Sequence, residues 1–158
     1  MIPIHHHLDH PGGIRAFMAA GATVVTPFSA REFYRYVATA PHTRRPDSLE
    51  RSRRAVVIEA FGGGPRVLAD GARRVEVHPL PTSHAEDLVV VYLPAEKMVI
   101  EADHISPRDG QVRPAPLVKE YISSLDKLDL DVATIVGIHG DSASLPAARA
   151  AAQGDKNK

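Results

Sequence analysis

The stretch His5-His6-His7-Leu8-Asp9-His10 packs imidazoles and a carboxylate at the spacing His-x-His-x-Asp-His, almost at the start of the chain. These are the donor groups that a divalent transition metal takes. In extended backbone, alternate side chains point to the same side. His5 and His7 can therefore chelate one ion, with a third ligand drawn from elsewhere. Asp9 and His10 fall beyond the turn and can face a second ion close by.

Three more residues of the same chemistry stand where a strand has just ended. His84 lies in Pro81-Thr82-Ser83-His84, Asp103 follows Met98 to Ala102, and His139 follows Thr134 to Ile138. Loops at strand ends are where a rigid scaffold holds reactive groups. His84 and His139 can each complete one site, and Asp103 can bridge both through its two oxygens. Seven nitrogen and oxygen ligands suit a pair of Zn²⁺ ions with open positions for water, with iron or manganese as alternatives. Two dications against Asp9 and Asp103 leave net positive charge, which lowers the pKa of a shared water from ~15.7 towards ~7. His6, His42, His78 and His104 read as structural or solvent-facing, His104 being placed to support its neighbour Asp103.

The elements that must position these groups alternate in period. Ile2-Pro3-Ile4 reads as a strand tail, and Ile14 to Ala20 as a short helix stopped by Gly21. Ala22 to Thr26 reads as a buried strand. Ser29-Ala30-Arg31-Glu32 has the form of a capping box opening a helix through about Ala38. Asp47 to Arg54 offers a further helical turn. Ala55 to Phe61, Arg66 to Ala69 and Arg74 to Leu80 are short β-rich runs. Gly62-Gly63-Gly64-Pro65 and Asp70-Gly71 separate them, which predicts antiparallel hairpins. Asp87 to Leu93 and Lys97 to Ala102 form another pair. Leu117 to Leu128 carries a helical apolar stripe, Val132 to Ile138 is again a strand, and Ser144-Leu145-Pro146 opens a last helix. Gly62 to Gly64 is a flexible turn rather than a phosphate cradle, because no Lys-Ser/Thr follows. Phe28, Phe33, Tyr34 and Tyr36 are assigned to the core. The fold class is α/β, layered over mixed sheet.

His-x-His-x-Asp-His followed by Pro11-Gly12-Gly13, then Ser83-His84-Ala85-Glu86, Glu101-Ala102-Asp103 and Gly137-Ile138-His139-Gly140, resemble the metallo-β-lactamase-fold hydrolases in order and spacing. The resemblance implies an αββα sandwich with the metals at one edge of two sheets. It implies that His5, His7 and His84 hold a first zinc, that Asp9, His10 and His139 hold a second, and that Asp103 bridges them. Members with Asp at the bridging position tend to be thioesterases, lactonases, phosphodiesterases or nucleases, whereas zinc β-lactamases usually carry Cys or Ser there. Family domains have a strand-rich half before the His cluster, which this chain lacks apart from Met1 to Ile4. The expectation is one partial domain over residues 1–154, a disordered tail over 155–158, and apolar faces left open. Such faces drive association, so a homodimer or higher homo-oligomer is expected to complete the fold.

Composition bounds the rest. The 158 residues suffice for one domain with a real core. Lys plus Arg equals Asp plus Glu, 19 each, which gives no bulk charge to steer the chain to nucleic acid or an anionic membrane. The basic run Arg44-Arg45 and Arg51 to Arg54 reads as a solvated face. Cysteine is absent, so thiolate ligands and disulfides are excluded. No apolar run spans a bilayer and no signal peptide is visible, so the chain as written is expected in the cytoplasm. The function expected is a binuclear zinc hydrolase in which a metal-bridged hydroxide, oriented by Asp9, attacks an ester, thioester, lactone or amide of a small-molecule substrate. A β-lactam hydrolase is one alternative. An inactive metal-binding fragment serving as an oligomerisation module is the other.

Overall fold

Short β-branched runs and one long amphipathic helix set the architecture, which a computed structural model describes for residues 1–154; the tail expected at 155–158 lies outside the described residues. A six-stranded sheet runs in the order β3 (Arg66–Ala69), β4 (Arg74–Pro79), β5 (Val89–Leu93), β6 (Met98–Glu101), β7 (Thr134–Gly137), β8 (Ser142–Ser144). All neighbours are antiparallel except β6 and β7. Parallel neighbours need a long crossover, and here α4 (Pro116–Asp126) lies within it. A second sheet holds only β1 (Val24–Pro27) and β2 (Ile58–Phe61), paired in parallel.

The period of two sorts the sheet into faces. Glu76, Tyr92, Val99, Ile135 and Ala143 form one row across the register, and every one of them is buried. This row meets the apolar stripe Val118, Tyr121, Ile122 and Leu125 of α4 and the alanines of α5 (Leu145–Gln153). The opposite row is Val77, Val91, Ile100 and Val136. Val77 and Val91 are buried with Ile4, Val25 and Phe61 of the small-sheet layer, but Ile100 and Val136 are only half-covered. The two-stranded sheet thus shields β4 and β5 and leaves the β6–β7 end of this face partly open.

Within β1, Val25 joins that core while Val24 turns the other way, into a separate cluster with Ile14, Met18, Tyr34 and Leu49. Those residues come from α1 (Ile14–Ala20), α2 (Arg31–Thr39) and α3 (Ser48–Ser52). The layers are therefore α4/α5, the large sheet, the small sheet, and α1–α3.

Several expectations are corrected. The run ending at Phe61 makes no hairpin with β3; it pairs with β1, and Gly62 to Pro65 carries the chain from one sheet to the other. A Cβ at Gly62 would stand 2.7 Å from the exposed ring of Phe28, which would have to move aside. Residues 2–4 form no strand, although Ile4 O accepts from Val89 N at 2.9 Å. The expected capping box at Ser29 is a 3₁₀ turn, Phe28–Ala30, and α2 starts without a side-chain cap. Strand β8 has no expected counterpart. Of the four aromatics assigned to the core, only Tyr34 is buried; Phe28 and Tyr36 are exposed. No helix among the described residues is long and apolar enough to cross a membrane.

Helix α1 is tied to α3 through Arg15, which pairs with Asp47 and lies 3.9 Å from Glu50. Arg15 donates to both oxygens of Asp47, at 2.5 and 3.1 Å, while Asp47 caps α3 by accepting from Glu50 N at 2.8 Å. The Arg15 hydrogen bond, then that of the Glu50 amide, holds the Asp47 carboxyl well below the usual carboxylate range. A depressed carboxyl contributes stability above its unfolded value, near 3.8, and loses it as pH falls through its folded value. Asp47→Asn keeps a capping oxygen but not the charge. The variant should melt lower than the parent at pH 6, and the difference should shrink as the pH is taken below 4, as thermal unfolding against pH will show. Leu88→Ala, at a fully buried position, should cost about 2–5 kcal/mol by urea unfolding.

Candidate metal centre

Sheet topology brings the seven residues to one edge. Glu101 and Gly137 are register partners on the parallel strands β6 and β7. Asp103 and His139 each lie two residues further on, so both emerge side by side at the carboxyl ends of these strands, which is where open α/β sheets place their ligands. The antiparallel partner β5 begins at the same edge, so the β4–β5 loop delivers His84 there. The Val89 N to Ile4 O bond delivers His5 to the same place.

The side chains converge on the Asp103 carboxylate. Its Oδ2 lies 3.0 Å from His5 Nε2, 3.1 Å from His10 Nε2 and 2.9 Å from His84 Nε2; its Oδ1 lies 3.1 Å from His139 Nε2. His84 Nε2 is also 3.3 Å from His5 Nε2 and 3.1 Å from His7 Nδ1. Asp9 Oδ2 is 3.3 Å from His139 Nε2 and 3.5 Å from His10 Nε2. Two sets of potential ligand atoms result, each within 4.8 Å: His5, His7, His84 and Asp103, and Asp9, His10, Asp103 and His139. Asp103 is the member common to both.

Burial varies across the centre. The His5 side chain is fully buried and that of His10 nearly so, while Asp9 is 58% and His139 43% exposed. Burial, reinforced by the charge of His10, lowers the His5 pKa to about 4. Burial alone would raise the Asp103 carboxyl, but His10, by hydrogen bond and charge, and then His5 and His84 carry it below its ordinary value. At neutral pH His5 therefore offers unprotonated nitrogen and Asp103 an ionised carboxylate. Nitrogens crowd together at 3.1–3.3 Å with no sulfur donor among them. That donor set fits divalent zinc, iron or manganese.

The loop presenting Asp103 is strained and braced. Asp103 has φ +71°, in the left-handed region that asparagine and aspartate tolerate best. Glu101, fully buried, accepts from the amides of Ile105 at 3.1 Å and His104 at 3.3 Å, which folds the loop over its carboxylate. Burial pushes the Glu101 carboxyl up to about 8 against the pull of those two amides. Gly140, at φ +126°, brings the His139 loop to within 2.4 Å of Pro107 O from an ideal Cβ, so no side chain fits there. His104 is buried, with Nδ1 3.1 Å from Ala102 O and Nε2 2.9 Å from Thr82 Oγ1, and so ties the Asp103 loop to the His84 loop.

Solved structures share this arrangement of elements. A metallo-β-lactamase from Pontibacter korlensis matches 98% of the chain with a TM-score of 0.64 at 22% identity, and the chain covers 68% of it. An archaeal metallo-β-lactamase superfamily protein from Sulfolobus tokodaii matches 96% at a TM-score of 0.66 and 15% identity, with 65% of it covered. The chain has the metallo-β-lactamase fold. It spans about two thirds of the length of these two structures. The flavodiiron protein from Giardia intestinalis matches 96% of the chain at a TM-score of 0.64 and 15% identity, with 40% of it covered. No protein-family model matches the sequence, and no curated protein matches it.

Some residues of this metallo-β-lactamase fold escape a reading by motif. Glu101 had a signal, since it shares the inward face of β6 with Val99. His6, expected to be structural or solvent-facing, is 43% exposed and pairs with the buried Asp87 at 2.7 Å; nothing local marks the acid that opens an apolar run as its partner. His78 pairs with Glu76 at 2.8 Å on β4, far from the cluster in the sheet order, and His42 lies 3.7 Å from Asp47.

Zinc bound to the folded state should stabilise it by mass action, by about 4 kcal/mol at a thousand times Kd. Chelation should therefore lower the melting temperature and added Zn²⁺ restore it. Asp103→Ala should abolish most of that response in a thermal shift assay.

Proposed function

We propose that the chain is a binuclear metal-dependent hydrolase of small-molecule esters, thioesters, lactones or amides. The observation that carries this reading is the pair of four-residue donor sets sharing Asp103 at the edge of the sheet. His5, His7, His84 and Asp103 would hold one ion, and Asp9, His10, His139 and Asp103 the other. Bound there, zinc ions supply Lewis acidity for a carbonyl oxygen and acidify a water; the name of the Giardia relative keeps iron in view.

The protein's own groups do the rest. Asp103, placed between the two sets, keeps them at a fixed spacing. Asp9 stands on the open side, and its exposed carboxylate can orient the attacking water and accept its proton at Oδ2. A cavity of about 800 Å³ opens beside Asp103, large enough for a small substrate. Arg108, Arg113 and Gln111 line it with Leu117 and Val118, which suits an apolar body bearing a polar or anionic substituent. The half-covered Ile100 and Val136 support a homo-oligomer, which sedimentation will test.

The decisive experiment is a hydrolysis panel of ester, thioester, lactone, phosphodiester and β-lactam substrates with added Zn²⁺, Mn²⁺ or Fe²⁺. Turnover should appear with a carboxylic ester, thioester or lactone. His7→Ala and Asp103→Ala should each lower kcat/KM by about 100-fold or more. Preferential nitrocefin turnover would favour a β-lactam hydrolase. Stoichiometric metal with no turnover on any class would favour a binding module.

A further inference from the structure

We propose that Asp87, acting through His6, is a positioning residue that sets the spacing of the two loops carrying His5, His7 and His84. The inference rests on the metal-centre reading above.

Asp87 is 4% exposed, and its Oδ1 accepts from His6 Nδ1 at 2.7 Å. Its Oδ2 is buried and finds no partner. A carboxylate so withdrawn from water with one oxygen unsatisfied is destabilising in itself. It does not support its own strand, since the partner lies 81 residues away in sequence. The His6 ring is not held by burial either, being 43% exposed, with the edge of Phe33 at 5.5 Å between centroids. Both costs are borne for one contact.

That contact joins the same loops that the first ligand set joins. His6 precedes His7, and Asp87 follows His84 by three residues; His7 Nδ1 and His84 Nε2 are 3.1 Å apart. The rings of His5 and His7 lie 4.5 Å apart, while the ring of His6 is 6.5 Å from that of His5. The middle ring stays beside His7, at 4.9 Å between centroids, but stands off from His5 and is tethered to Asp87. Tyr34 on α2 adds a clamp, its hydroxyl donating to His5 O at 3.2 Å. Pinned at residues 5 and 6, the ligand loop is ordered before an ion arrives, and less ordering is left for binding. The second set, Asp9, His10, Asp103 and His139, is not spanned by this tether. Losing Asp87 should therefore weaken one site and spare the other.

Co²⁺ affinity, read by visible absorption on the full chain, tests this. In a His139→Ala parent, which keeps the His5/His7/His84/Asp103 set, Asp87→Ala and His6→Ala should weaken binding about 10–100-fold. His6→Asn, whose amide nitrogen can stand where Nδ1 stands, should recover most of it. In a His84→Ala parent the same substitutions should leave affinity unchanged. Circular dichroism and melting in chelator report folding; if Asp87→Ala does not fold, the His6→Ala and His6→Asn pair decides. Unchanged affinity in the His139→Ala parent, or equal weakening in both parents, would overturn the tether alone. A wild-type chain that binds no Co²⁺ would overturn the metal-centre reading, and the tether with it.

Discussion

A single carboxylate, Asp103, within hydrogen-bonding reach of four imidazoles is the constraint around which the rest of the chain is arranged. The imidazoles come from three separated stretches of sequence, and Asp103 itself from a fourth. No local structure can make them meet. The meeting is produced by the parallel pairing of β6 and β7, because only parallel neighbours present two carboxyl ends at one edge. That pairing requires a crossover, and α4 within it covers the inward row of the sheet. The best-buried face of the molecule is thus a consequence of the topology that builds the centre.

Holding Asp103 there has a conformational penalty, since φ +71° is unfavourable for a residue with a Cβ. Two buried acids oppose it in different ways. Glu101 folds the backbone of residues 104 and 105 over its own carboxylate, fixing the loop from beneath. Asp87 reaches across to His6 and fixes the opposing loop. Neither touches the ligand atoms. Both are buried acids, Glu101 at the end of β6 and Asp87 in the turn before β5, and burying an acid is costly unless its partners repay it.

The donors were legible in the sequence because their chemistry is dense and local: imidazoles two residues apart, a lone acid at a strand end, a histidine before a glycine. The strands were legible from β-branched runs such as Val89-Val90-Val91, and α4 from its stripe at Leu117, Val118, Tyr121 and Ile122. What period alone cannot say is which strand pairs with which. Ile58 to Phe61 looked like half of a hairpin because Gly62-Gly63-Gly64 follows it. Yet its register lies with β1, thirty-four residues earlier at Val24 and Ile58. The three glycines make a sheet-to-sheet crossing instead, with one of them against the Phe28 ring. Asp87 was illegible for the same reason. Its partner is distant in sequence, and an acid opening an apolar run looks like a solvated strand start.

The burial gradient across the centre gives it a direction. His5 and His10 are enclosed, whereas Asp9 and His139 lie open. Desolvation strengthens electrostatic interactions on the inner side and screening weakens them on the outer. Burial keeps the His5 imidazole unprotonated at neutral pH and leaves it little freedom to exchange partners. Asp9 keeps its carboxylate in contact with solvent, the condition that the proton-accepting role proposed for it requires. The two sets share Asp103: the first contains the fully buried His5, and the second runs from the nearly buried His10 to the open Asp9 and His139. The Asp87–His6 tether lies on the enclosed side, where rigidity is useful. Among the described residues no corresponding tether restrains Asp9, whose distances of 3.3 and 3.5 Å to its imidazole neighbours are the longest that either aspartate makes within the centre.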